Sequence, residues 1–298
     1  MSYNENYWSF SLKLLSRRNT NNLNLGKNKI KTNQKSLGFK ELNNYIEKFD
    51  TSKDSVLISI ILPVYNEENT IGAILQNLPN HPSIEIIVID DHSTDTSLKE
   101  IEKARKNRRI KVLRHKINKG YGATIMTGFK NATGRIIVTM DSDGQHSPDD
   151  IYHLVKPILD GTSDFTIGSR YLGSYHYSLP LSTRFGELLT EKLLRLLFGV
   201  NILNNQNGFR AFNRDLLHIF DKMRYFGYAF CTEQILIATS FGYIIKECPI
   251  KVYDREYGSS KIVLWKLALD IFSSMFIYAL KNIKWIFTHK NEIRKLFI

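Results

Sequence analysis

An α/β chain built on a largely parallel, doubly wound sheet is the fold the sequence predicts, and three observations predict it. Short β-favouring runs alternate with helical stretches from residue 56 onward, which is the signature of strands joined by crossover helices. Polar and acidic residues gather just beyond several of those runs, where ligands sit in open sheets of this class. A length of 298 residues with 43% hydrophobic content is enough to bury one substantial core with tails.

Residues 1–54 are rich in Asn and Lys and contain no apolar block of signal-peptide type, so they read as a basic, partly disordered extension. Within it, Phe39, Leu42, Ile46 and Phe49 fall at helical spacing and predict a short amphipathic helix packed on the core. The core domain is expected over residues 55–262. Its first four units are LISIIL with a helix from Asn69 to Leu78, EIIVID with Thr96 to Asn107, IKVL with Tyr121 to Ala132, and RIIVTM with Asp149 to Leu159. Ser147 and Pro148 supply the start of that last helix. Beyond a further strand, DFTIG, the order loosens into a basic loop, a helix near 183–198, a short FRAF strand, a helix through Glu233 and the strand YIIKECPIKV. Residues 263–298 form the third segment.

A net charge of +12 and a pI near 9.5 suit an anionic partner: nucleotide phosphates, an acidic membrane surface or nucleic acid. Nucleic acid is disfavoured because the cations are dispersed and no nucleic-acid motif is present. Cys231 and Cys248 have no CxxC or zinc spacing, which points to a reduced, cytosol-facing protein.

The most telling segment is RIIVTMDSDGQHSPDD at 135–150, with Asp141 and Asp143 one residue apart on a chain leaving a strand. Such a pair can hold a hard divalent ion, Mg²⁺ or Mn²⁺, while a diphosphate completes its coordination. An EF-hand is excluded, because Gly144 comes too early and Tyr152 stands where the bidentate glutamate belongs. Tyr65, Asn66 and Glu67 follow the first strand and Asp90 and Asp91 the second, so one sheet edge collects five carboxylates. A crevice of that kind suits a sugar nucleotide. Helix capping accounts for one or two of Asp90, Asp91 and Asp95, not for the set.

These residues resemble the inverting glycosyltransferases of family 2 with a GT-A fold, and among them the polyprenyl-phosphate (dolichyl-phosphate type) mannosyl- and glucosyltransferases, over about residues 57–262. LPVYNEE carries Pro63, Tyr65 and Glu67 at positions that the resemblance assigns to the nucleoside pocket. DDHSTD is similar to the family's DDGSTD, with Asp91 as base or ribose contact and His92 in place of the glycine. NKGYGAT resembles NxGxGxA, where Gly120 and Gly122 imply close backbone approach to the sugar nucleotide. A dinucleotide fingerprint fits less well, since Ile125 occupies the third glycine position. MDSDGQH matches the metal and diphosphate motif through Asp141, Asp143 and Gln145. GSRY puts Arg170 at an acceptor-phosphate position, with Arg184 as a second candidate. NGFRAF carries Arg210 at the SGFR position, although Asn204 and Asn207 differ from the family's Asp and Ser. DREYGSSK resembles RxxGxSK, so Arg255 and Lys261 are expected to clamp phosphates about a Gly258 hinge.

The implied reaction transfers a hexose, with inversion, from a GDP- or UDP-linked sugar to a polyprenyl phosphate. Asp143 and Arg170 are expected to serve the catalytic step. A phosphate monoester, with a second pKa of about 6, is already ionised and needs little help from a base. A glycan, protein or diacylglycerol hydroxyl would need one, and Glu233 in FCTEQIL is the candidate. A silent nucleotide-sugar-binding protein is the alternative outside enzymes. Past residue 263, Lys266 and Asp270 interrupt the apolar run, leaving it too short and polar to span a bilayer. Leu267, Ile271, Met275, Leu280 and Phe287 share one helical face opposite Lys266, Asp270, Ser273, Ser274, Lys281 and Lys284. With Trp265 and Trp285 as anchors, this predicts an in-plane helix on the cytoplasmic face of a membrane, peripheral or monotopic.

Overall fold

The computed structural model describes residues 37–49, 56–106, 108–175, 181–224, 227, 229–257 and 264–281. Most of the N-terminal extension lies outside these residues, as do Gly258, Lys261, Lys284, Trp285 and Phe287.

A seven-stranded sheet has the order β3-β2-β1-β4-β6-β5-β7. Its strands are β1 (Ile58–Val64), β2 (Ile84–Asp90), β3 (Ile110–Arg114), β4 (Ile136–Thr139), β5 (Phe165–Tyr175), β6 (Arg210–Asn213) and β7 (Ile245–Val252). Every neighbouring pair is parallel except those of β6, which runs antiparallel to both β4 and β5. The helices are α1 (Leu37–Phe49), α2 (Ile71–Asn77), α3 (Ser97–Arg105), α4 (Tyr121–Asn131), α5 (Ile151–Leu159), α6 (Leu181–Phe198), α7 (Leu217–Phe220), α8 (Phe230–Ser240) and α9 (Leu264–Lys281).

Position in the sheet explains the strand compositions. Central β1 is buried at all seven positions, as a strand covered on both faces must be, whereas edge strand β7 alternates and buries little beyond every second residue. The alternation divides the core. Ile58, Ile60, Leu62 and Val64 pack with α2 and α5 on one face, while Ile61, Ile87 and Ile89 face Phe129, Phe212 and Phe220 on the other. The expected N-terminal helix is α1, which buries Leu42 and Ile46 completely on the α5 side.

Helix α9 differs from expectation in orientation. Ile271 and Met275, expected on a lipid-facing side, are buried with Tyr278 where α9 packs on α6 and α8. The exposed side is instead Trp265, Leu269, Phe272, Phe276 and Leu280, with Trp265 at 62% and Phe276 at 64% exposure. The reason is competition for the more continuous apolar face, which tertiary packing takes first. Among the described residues, no helix is long and apolar enough to cross a membrane.

Candidate active site

The loops leaving β1, β2 and β4 meet at one sheet edge, and side chains of residues 93–97 lace the first two together. Asn66 N–H donates to Ser93 Oγ (3.0 Å), Glu67 N–H to Ser97 Oγ (2.7 Å) and Glu68 N–H to Asp95 Oδ2 (3.1 Å). Thr94 N–H returns a bond to Asn66 Oδ1 (2.8 Å). Asp90 accepts from Ser93 N–H (3.1 Å) and lies 2.9 Å from Arg114 Nε, so Asp90 and Asp95 are structural. His92 takes φ 64° at the position where the resemblance has glycine. The turn keeps its left-handed residue and the histidine bears its steric cost.

Asp91 faces the cavity and organises the next loop. Its Oδ1 accepts from Lys119 N–H and its Oδ2 from Gly120 N–H, both at 2.8 Å. His115 Nδ1 lies 2.6 Å from Asp91 Oδ1, and His115 Nε2 lies 2.9 Å from Thr127 Oγ1 on α4. Gly120, at φ 86°, then leads into α4, and its positive φ is the reason a glycine is required there.

The segment after β4 is pinned from three sides. Thr139 Oγ1 donates to Gly208 O (2.7 Å), Ser142 Oγ to Pro63 O (2.6 Å), and Thr70 Oγ1 to Ser142 O (2.7 Å). Asp143 Oδ1 accepts from Gln145 N–H (3.1 Å). Asp141 opens partly to the cavity, yet its Oδ1 is buried without a hydrogen-bond partner. Burial raises the Asp141 pKa above the usual carboxylate value, with His146 opposing the shift and Asp143 adding to it. A Cβ built at Gly208 would fall 2.6 and 2.7 Å from the two Asp141 oxygens and directly on the Tyr121 hydroxyl. Gly208 is therefore what makes room for that carboxylate.

These loops enclose a cavity of about 790 Å³. Of the residues singled out from sequence, Pro63, Tyr65, Glu67, Asp91, Gly120, Asp141, Asp143 and Arg255 line it. Arg255 reaches in from the segment after β7, with Nη2 2.6 Å from Glu67 Oε1 and 3.7 Å from Asp143 Oδ2. Burial raises the Glu67 pKa, Arg255 opposes the rise and Asp143 adds to it.

The structure places five other candidates elsewhere. Gly122 is buried within α4. Gln145 turns outward and donates from Nε2 to Tyr253 O (3.2 Å). Arg170 pairs with Glu187 and bonds Asn204 Oδ1 (3.3 Å), while buried Arg184 lies over the Tyr171 ring at 4.1 Å, with Glu187 3.9 Å away. Neither arginine lines the cavity. Arg210, 1% exposed, donates to the carbonyls of Asn205, Asn207 and Cys231 and to Gln234 Oε1, and so ties the loop before β6 to α8.

Glu233 is a correction to the expected base. It is fully buried, accepts the Arg224 N–H with both oxygens (2.9 and 3.0 Å) and the Tyr278 hydroxyl at 2.9 Å. The helical pattern of FCTEQIL hides this, since α8 is buried on every side through Ala238.

Asn118, Tyr121, Gln206, Gly208, Cys231 and Leu267 also line the cavity. Gly208 sits within the NGFR motif and His115 directly after a strand, which were the available signals. Tyr121 occupies a variable position of NxGxGxA and gave none.

Among the described residues, no group of three or more His, Cys, Asp or Glu side chains could hold an ion alone. Asp141, with its unpartnered buried oxygen, and Asp143 fit a hard divalent cation whose remaining ligands come from a diphosphate and water.

Comparison with known proteins agrees with this geometry. Residues 59–220 match the family described as Glycosyl transferase family 2. The chain is 33% identical over 223 residues to the UDP-N-acetylglucosamine–dolichyl-phosphate N-acetylglucosaminyltransferase of Methanococcus voltae, covering 69% of this chain and 89% of that one. It is 30% identical over 213 residues to the polyprenol monophosphomannose synthase of Mycolicibacterium smegmatis, covering 68% and 80%. Its fold matches glucosyl-3-phosphoglycerate synthase from Mycobacterium tuberculosis, solved with Mn²⁺, UDP-glucose and phosphoglyceric acid, with a TM-score of 0.60 at 20% identity over 75% of this chain and 79% of that one. The same synthase is also known with Mg²⁺ and UDP. The architecture is thus the GT-A fold.

Proposed function

Since the chain belongs to glycosyltransferase family 2 and is a nucleotide-sugar-dependent glycosyltransferase, we propose that it transfers a hexose, with inversion, from a GDP- or UDP-linked sugar to a polyprenyl phosphate. The observation that carries the acceptor is the state of the carboxylates. Glu233 is sequestered, Asp91 is committed to backbone N–H groups, and Glu67 is paired with Arg255. Among the described lining residues this leaves Asp141 and Asp143, which suit an ion rather than proton abstraction. An acceptor that arrives ionised, as a phosphate monoester does, needs no base.

In this reading Asp91 and the 118–120 loop hold the nucleoside end, with Pro63 and Tyr65 lining the same cavity. Asp141 and Asp143 hold Mg²⁺ or Mn²⁺, which offsets the negative charge of the departing diphosphate. The acceptor oxygen attacks the anomeric carbon from the face opposite the diphosphate, and the C–O bond to that group breaks as the new one forms. Orientation and charge neutralisation lower the barrier. Lys261 supplies a cation for the phosphates, as the RxxGxSK resemblance implies, while Arg170 and Arg184 stay paired with Glu187 outside the cavity. The membrane is met through the exposed face of α9, an apolar ridge from Trp265 to Leu280 about 22 Å long. Leu267 of the same helix lines the cavity, so the ridge starts beside the site. That arrangement suits a peripheral enzyme whose acceptor stays in the cytoplasmic leaflet.

The test is incubation with polyprenyl phosphate and a panel of labelled GDP- and UDP-sugars, with Mn²⁺ or EDTA, following label into the organic phase. Metal-dependent lipid labelling that disappears in Asp141→Ala and Asp143→Ala is expected. Labelling of a hydroxyl acceptor but never of the lipid phosphate would refute the reading, and nucleotide-sugar binding without any transfer would mark a silent protein.

A further inference from the structure

Arg255 reaches the site by backbone register. The segment that carries it pairs with the loop that carries Asp143: Tyr253 N–H donates to Gln145 O (2.9 Å), Gln145 Nε2 donates to Tyr253 O (3.2 Å), and His146 and Val252 form an isolated antiparallel bridge. The guanidinium is thereby delivered between two carboxylates of like charge, 2.6 Å from Glu67 Oε1 and 3.7 Å from Asp143 Oδ2. All three side chains are largely buried, at 26%, 13% and 14% exposure. A partly desolvated pair of carboxylates requires a counter-charge there, and an arginine keeps its charge at any working pH.

A divalent cation bound by Asp143 therefore meets a fixed positive charge already on the same carboxylate. Resting on the reading that Asp141 and Asp143 hold a metal–diphosphate unit, we propose that Arg255 is a resident counter-ion that the metal displaces. Its guanidinium then passes from Asp143 to the incoming diphosphate, whose oxygens match the planar fork, while keeping its bond to Glu67. Metal alone binds against Arg255, whereas metal with diphosphate gives the guanidinium a new anion. The two ligands consequently bind cooperatively, and by linkage each raises the affinity of the other by the same factor. The RxxGxSK resemblance assigns Arg255 to the phosphates but not to the carboxylates, because the counter-ion role depends on the pairing of two loops about 110 residues apart in the chain.

The experiment is a Mn²⁺ titration of the full chain, reading loss of the free-ion electron paramagnetic resonance signal, first without nucleotide and then with UDP or GDP. It compares wild type with Arg255→Gln and Arg255→Lys, all verified as folded by near-UV circular dichroism. Arg255→Gln is expected to bind Mn²⁺ alone at least about tenfold more tightly, as removal of a cation from partly buried carboxylates requires. Its gain in Mn²⁺ affinity on adding nucleotide should shrink, and Arg255→Lys should restore part of that coupling. Arg255→Gln binding Mn²⁺ alone no more tightly than wild type would overturn the counter-ion role while leaving the metal reading standing. Failure of every protein to bind Mn²⁺ with either nucleotide would overturn both.

Discussion

Gly208→Ala is the substitution through which the carboxylate geometry can be tested most directly. An alanine Cβ there would lie 2.6 and 2.7 Å from the Asp141 oxygens, so the carboxylate must retreat by roughly 0.8 Å to reach ordinary contact at 3.4 Å. The retreat is resisted, because Thr139 and Ser142 on either side are bonded to Gly208 O and Pro63 O. A misplacement near 1 Å at a reacting centre costs about 100-fold, so kcat/KM should fall about 10- to 100-fold. Overpacking should cost about 1–3 kcal/mol of stability. Gly186→Ala is the matched control: its added Cβ meets nothing within 4 Å, and in the middle of α6 it should stabilise by about 0.5–1 kcal/mol. Thermal unfolding, Mn²⁺ titration and transfer assays read the three effects. Gly208→Ala with Mn²⁺ affinity and turnover within twofold of wild type would refute the claim that this glycine sets the carboxylate position.

Three further outcomes are expected. Asp141→Asn should abolish metal-dependent transfer yet raise the melting temperature of chelated protein, because the neutral amide relieves the burial that disfavours the carboxylate. The raised Asp141 pKa contributes stability that is present below the ordinary aspartate value of 3.8 and is lost as pH rises through the folded-state value. The gap between variant and wild type should accordingly widen from acidic to neutral pH; a gap that narrows would contradict the burial argument. Glu233→Leu and Tyr278→Phe should each destabilise by at least about 1–3 kcal/mol, since each removes one partner of the buried bond joining α8 to α9. Urea unfolding should show nearly the same loss when the two are combined, and a fully additive double variant would separate them. Replacing Phe272 and Phe276 by serine should release the protein from anionic vesicles without changing its melting temperature, whereas Ile271→Ser should unfold it first. Unchanged vesicle sedimentation of the ridge variant would remove α9 from the membrane reading.

Much of the site was legible because it is built from short local motifs. Strand ends could be placed by composition, and in a parallel sheet the loops after β1, β2 and β4 must share an edge. Glu67, Asp91, Asp141 and Asp143 therefore converge as expected. What escaped is what depends on partners distant in sequence. Arg210 and Glu233 look like functional charges in the linear chain, yet one satisfies three carbonyls and a side-chain amide, and the other an N–H and a hydroxyl from α9. Arg170 and Arg184 share Glu187 by the same logic.

The amino-acid sequence by itself determined the strand and helix alternation, the sheet edge where ligands meet and the family, since periodicity and motif spacing are local properties of the chain. The tertiary structure alone decided which charges face the cavity, which face of α9 stays exposed, and that Gly208 and Arg255 set the state of the carboxylates. Burial and pairing are settled by whichever neighbours the fold brings within a few ångströms, and for a buried charge those neighbours determine whether it can act or must be neutralised.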